Sequence, residues 1–142
     1  MKPRVLFLFI LITSALLLLA ACGSGETTAL AKDDIDLSAL GPDIDVDTAH
    51  ALHGSPNVFM LDVREPHEYA AGHIPGITLI PMGEIANRLS EIPTDQEVIV
   101  TCRTGNRSGQ IADLLREQGF TNVHNMEGGI VAWQEAGYTV EN

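Results

Sequence analysis

Val98-Ile99-Val100-Thr101-Cys102-Arg103-Thr104-Gly105-Asn106-Arg107-Ser108 joins an unbroken apolar run to a polar, glycine-containing loop. Val98 to Val100 shows no alternation, as expected of a strand buried on both faces of a parallel sheet. Downstream, Ile111, Leu114 and Leu115 recur at i, i+3 and i+4, so the loop runs into a helix beginning near Ser108, which Gly119 is placed to stop. Strand, loop and helix in that order put Cys102 at the carboxyl end of a strand, where ligands bind in open α/β sheets.

The same alternation extends in both directions. Val58-Phe59-Met60-Leu61 is a second continuous apolar run; Ile77 to Ile80 and Asn122 to Met126 are shorter candidates, and Ile44 to Val46 reads as an edge strand. Between them, Asp47 is placed to cap a helix running through Ala49 and Leu52. Met82, Ile85 and Leu89 recur at helical spacing, and Ile130 and Trp133 share a face of a last helix that Gly137 can end. The pattern predicts one α/β domain with a mainly parallel sheet over residues 41–142.

The loop also carries the chemistry. Its backbone N–H groups can converge on one point, and the helix N-terminus adds a partial positive charge. Arg103 and Arg107 add full charges, and Gly105 permits a turn that a side chain would oppose. These features favour an anion at the Cys102 sulfur, which predicts a lowered thiol pKa and a competent nucleophile. A lone cysteine is more commonly a buried structural residue. Two arginines, a glycine and a strand-to-helix loop argue against that reading here.

The charge balance narrows the partners. Lys2 and Arg4 precede Cys22 while all 19 acidic residues follow it, so the remainder carries 6 basic side chains and a net charge of −13. Phosphate neutralisation needs clustered Lys and Arg, so nucleic acid is excluded as a partner, as is polybasic docking to anionic lipid. Solubility accounts for the acidity.

The N-terminus reads as an address. Lys2 and Arg4 precede a run from Val5 to Leu19 that is apolar apart from Thr13 and Ser14, the n-region and h-region of an export signal. It ends Leu19-Ala20-Ala21-Cys22, which resembles the lipobox of bacterial lipoproteins. That resemblance implies a signal peptide over residues 1–21, a diacylglyceryl group on Cys22 and a lipid-anchored, extracytoplasmic domain facing the periplasm or the cell surface. A plain secretory signal cut near Ala21 and an uncleaved helical anchor are the alternatives, and both also place the domain outside the cytoplasm. Residues 22–40, rich in Gly, Thr, Ala and Asp, read as a flexible linker.

Three further segments carry a resemblance. Leu61-Asp62-Val63-Arg64-Glu65-Pro66-His67-Glu68-Tyr69 with Gly72-His73-Ile74-Pro75-Gly76 resembles the first signature of the rhodanese family. Cys102 to Ser108 is similar to that family's active-site loop, and Asn125-Met126-Glu127-Gly128-Gly129-Ile130 with Ala132-Trp133 to its closing motif. All three occur in the expected order over roughly residues 43–139. The resemblance implies an open five-stranded parallel sheet flanked by helices, and transfer of sulfane sulfur through a cysteine persulfide without metal or organic cofactor. It makes Cys102 the catalytic residue and Arg103, Thr104, Gly105, Asn106 and Arg107 the loop around the persulfide. Asp62 and Arg64 match positions that support the site from a neighbouring strand. The implied partners are a small sulfur donor, thiosulfate or a persulfide, and an acceptor such as cyanide, a thiol or a protein. Rhodanese-like domains also serve as non-catalytic binding modules, usually after losing the cysteine; here it is present.

Loop length separates sulfur from phosphate. Four residues lie between Cys102 and Arg107, whereas phosphatases of this fold have five, a ring that encloses a tetrahedral phosphate. The shorter ring suits a single sulfur atom. Other signals carry less. His50 and His53 are three apart on an expected helix, but nothing completes a metal-ligand set with them. Gly128-Gly129 is too sparse for a dinucleotide fingerprint and reads as a tight turn into the last helix.

Overall fold

The computed structural model describes residues 35–142; the signal segment, Cys22 and the linker up to residue 34 lie outside the described residues. Five strands form one parallel sheet: β1 (Asp43–Ile44), β2 (Val58–Asp62), β3 (Thr78–Leu79), β4 (Glu97–Thr101) and β5 (Val123–Met126), in spatial order β1-β5-β4-β2-β3. The helices are α1 (Val46–Leu52), α2 (Pro66–Ala70), α3 (Asn106–Glu117) and α4 (Gly129–Glu135). This is the α/β parallel sheet that the residue pattern predicts, with the five open strands that the resemblance implies.

The central strand explains the continuous apolar run. In β4, Val98 and Val100 face one core with Leu61, Ile85, Ile111 and Leu115, whereas Ile99 faces a second with Leu52, Met60, Ile130 and Trp133. Successive side chains of a strand point to opposite faces, so a strand covered on both must be apolar at every position. Thus α3 covers one face, and α1 and α4 cover the other.

Several local readings shift. The cap of α1 is Asp45, whose Oδ1 accepts from the Thr48 N–H at 2.7 Å, and not Asp47. Asp47 instead accepts from the Tyr138 hydroxyl at 2.7 Å, and the edge strand stops at Ile44. Met82, Ile85 and Leu89 do not share an α-helix: Met82–Asn87 and Leu89–Glu91 are two 3-10 turns. A stripe with an i, i+3 step fits three residues per turn as well as 3.6. Residues 35–40, within the stretch read as linker, hold a 3-10 turn at Leu37–Ala39, and Ile35, Leu37 and Leu40 pack on the second core.

Candidate active site

Cys102 follows the last residue of β4 and is only 1 % exposed. Its sulfur sits where a side-chain cap of α3 would otherwise be. The N-cap is Gly105 at φ +91°, with no side chain to satisfy the first amides of the helix. The Gly105 N–H donates to Cys102 Sγ at 3.2 Å, and Ser108 Oγ lies 3.4 Å from it. Burial pushes the thiol up, but donation from the Ser108 hydroxyl and from the amides of Ser108, Thr104 and Gly105 outweighs it and holds Cys102 below the ordinary cysteine range. Asn106 opens α3 and donates no bond to the sulfur; its Oδ1 accepts from Gln110 Nε2 at 2.9 Å.

The arginines depart from their expected part in this. The Arg107 guanidinium is engaged bidentately by Glu68 of α2, both N···O distances being 2.7 Å, so hydrogen bonds rather than a free arginine beside the sulfur lower the thiol. Arg107 is raised above its usual range by Glu68, and the Glu68 carboxyl is pulled down to about 2 by Arg107. Arg103 is exposed and lines a cleft of about 280 Å³ that also involves Arg64, Glu68, Gly72, Val131 and Gln134.

Asp62 and Arg64 form a buried pair, 1 % and 5 % exposed, closed by Arg64 Nε and Nη2 on the Asp62 carboxylate at 2.7–3.0 Å. Arg64 also donates to the carbonyls of Gly72, at 2.9 Å, and Glu68, at 3.3 Å. The two residues therefore support the loop indirectly: they clasp α2 and its following turn, α2 carries Glu68, and Glu68 grips Arg107.

Four contributors lie beyond the site residues that the sequence picks out: Glu68, Ser108, Asn125 and Gly129. Glu68 had a readable local signature, the Glu65/Glu68 capping box with Pro66 at the helix start. The sequence marks Gly129 as part of a tight turn, yet its role is close approach. The N–H groups of Ile130 and Val131 donate to the carbonyls of Cys102 (2.9 Å) and Arg103 (3.1 Å), and a Cβ on Gly129 would fall 2.5 Å from the Cys102 oxygen. The closing motif is thus the floor of the cysteine loop.

The Glu68 geometry makes a pH prediction. A carboxyl held near 2 in the fold, against 4.5 ordinarily, contributes stability that is fully present above the ordinary value and is lost as pH falls toward about 2. Glu68→Gln should cost about 1–2 kcal/mol at pH 7, allowing for the partial exposure of the pair. Denaturant titrations of both proteins at pH 7 and pH 3 should show that gap narrowing at the lower pH; a constant gap would contradict the ion-pair assignment.

Comparison with known proteins agrees with this geometry. The rhodanese-like domain family model matches residues 45–136. A sulfurtransferase of Allochromatium vinosum is 42 % identical over 89 residues, 63 % of this chain and 83 % of that protein. A thiosulfate sulfurtransferase of Pseudoalteromonas translucida is 41 % identical over 80 residues, 56 % of this chain and 76 % of that one. The crystal structure of a rhodanese-related protein from Thermoplasma volcanium superposes with a TM-score of 0.63 at 33 % identity, covering 71 % of this chain and 98 % of that one. The matched residues include the cysteine loop and the closing motif, and the chain belongs to the rhodanese-like domain family.

Proposed function

We propose that this chain is an extracytoplasmic, lipid-anchored sulfurtransferase that moves sulfane sulfur from thiosulfate or a persulfide donor to a thiophilic acceptor through a persulfide on Cys102. The observation that carries the proposal is the Cys102 sulfur at the focus of the Gly105 amide, the Ser108 hydroxyl and the start of α3. The Cys102 thiolate attacks the outer sulfur of thiosulfate; a new S–S bond forms, the S–S bond of the donor breaks, and sulfite leaves with the electron pair. The persulfide carries the same negative charge as the thiolate, so the same N–H donors serve both states. Cyanide or a thiol then attacks the outer sulfur and the thiolate is restored, a double displacement that predicts ping-pong kinetics. Family membership and the sulfurtransferase names of two relatives support sulfur transfer. Thiosulfate as donor is supported by the name of one relative.

The test is thiocyanate formation from thiosulfate and cyanide by the reduced full chain, with Cys102→Ala as control. Cys102-dependent thiocyanate is the expected result. A folded, reduced protein that yields none, and takes up no sulfur from a persulfide donor, would leave the binding module as the remaining function. Anchoring rests on the Leu19-Ala20-Ala21-Cys22 sequence. Cys22→Ala should block lipid attachment and processing at that site, read as loss of labelling by radioactive palmitate in bacteria; labelling that persists in the variant would overturn it.

A further inference from the structure

Asn125 of β5, 7 % exposed, lies between Ser108 and Asp43. Its Nδ2 donates to Asp43 Oδ1 at 2.9 Å and its Oδ1 accepts from Ser108 Oγ at 2.7 Å. A carboxylate only accepts, so Asp43 turns the amide nitrogen toward itself and the amide oxygen toward Ser108. A hydroxyl has one hydrogen. While that hydrogen lies on Asn125 Oδ1, Ser108 Oγ presents only a lone pair to Cys102 Sγ, 3.4 Å away, which suits an S–H and opposes a thiolate. For Ser108 to donate to the sulfur, it must leave a buried amide oxygen without its partner, which opposes the turn.

We propose that Asp43 is a positioning residue: through Asn125 it competes with Cys102 Sγ for the single Ser108 hydroxyl hydrogen and so limits how far that hydroxyl favours the thiolate. The neutral thiol is the form less open to oxidation, so the restraint protects a resting site that has no second cysteine among the described residues. Charged groups on the elements packed around the loop include Arg103 of the loop itself, Arg107 of α3 paired with Glu68 of α2, the Asp62–Arg64 pair beside β2, and Glu127, which lines a cleft with Thr104, Gly105 and Asn125. Their hydrogen bonds go elsewhere than Ser108 and Asn125. The consequence for turnover rests on the sulfur-transfer reading, but the restraint itself is measurable without any sulfur donor.

The experiment is the pH dependence of iodoacetamide alkylation of the reduced full chain, read on the Cys102 peptide by mass spectrometry so that Cys22 does not contribute. Asp43→Ala should lower the midpoint and speed alkylation below it by about threefold, and Asn125→Ala by up to about tenfold, the scale of one neutral hydrogen bond. Ser108→Ala should move the midpoint the other way, because the thiolate then loses its side-chain donor. The double variant Asp43→Ala/Ser108→Ala should behave as Ser108→Ala alone. Asp43 is exposed, so its variant is expected to fold, which thermal unfolding checks. An unchanged or raised midpoint in Asp43→Ala overturns the proposal. So does a downward shift that persists in the double variant, since removal of a negative charge would explain it without Ser108. Thiocyanate assays on the unaltered chain separate the two claims: no sulfur transfer with the alkylation contrast intact sinks only the activity, and the reverse sinks only the restraint.

Discussion

Cys102→Ser is expected to lower sulfur transfer by at least about 10³-fold, the scale seen when a nucleophile is removed, while the protein stays folded. An alkoxide is far less accessible than a thiolate, and the oxygen cannot form the S–S bond that stores the transferred sulfur. The fold should tolerate the change. The serine hydroxyl would sit among the Gly105 amide and the Ser108 hydroxyl that now serve the sulfur, so a buried polar atom would not be left without partners. Thiocyanate assays paired with thermal unfolding give both readings. Substantial transfer by a folded Cys102→Ser protein would remove the persulfide from the mechanism.

Gly129→Ala carries the second large effect, and it separates loop support from ordinary turn strain. Gly129 has φ +57°, unfavourable for any residue with a Cβ. Its Cβ would also meet the Cys102 oxygen at 2.5 Å and the carbon and oxygen of Arg103 at 2.6 Å. Those are backbone atoms held by the amides of Ile130 and Val131, so relief requires the cysteine loop and α4 to part. A stability loss of about 3 kcal/mol or more follows from strain plus overpacking. Because the displaced residues are Cys102 and Arg103, activity should fall further than the folded fraction does. A denaturant curve with an assay on the folded fraction checks this; full activity per folded molecule would show that the contact supports the fold alone.

How much of this was legible differs residue by residue. The β4-loop-α3 unit could be read because a strand covered on both faces must be apolar throughout, and because Ile111 and Leu115 mark the buried side of a twelve-residue helix. α2 could not be found by periodicity: it has five residues and buries none, and only its capping box marks it. Asp45 and Asp47 are equally good caps in sequence, and the choice between them is made by where β1 ends and by the Tyr138 hydroxyl, 91 residues away from Asp47. The same holds at the site. Cys102, Gly105 and Ser108 share one short segment, so their convergence follows from local geometry. Glu68 meets Arg107 across 39 residues, and Asp43 meets Asn125 across 82, through sheet and helix packing that no spacing announces. Arg107 could be placed by sequence; its commitment to Glu68 could not, because it depends on how α2 and α3 pack.

The central claim is that Cys102 itself carries the sulfur, and intact-mass analysis tests it most directly. The reduced chain would be incubated with thiosulfate alone, with no acceptor, and its mass compared with that of Cys102→Ala treated alike. The account predicts a gain of one sulfur atom that depends on Cys102, is removed by cyanide and is accompanied by one sulfite released per chain. An unchanged mass in a folded, reduced protein, or a gain that persists in Cys102→Ala, would contradict it.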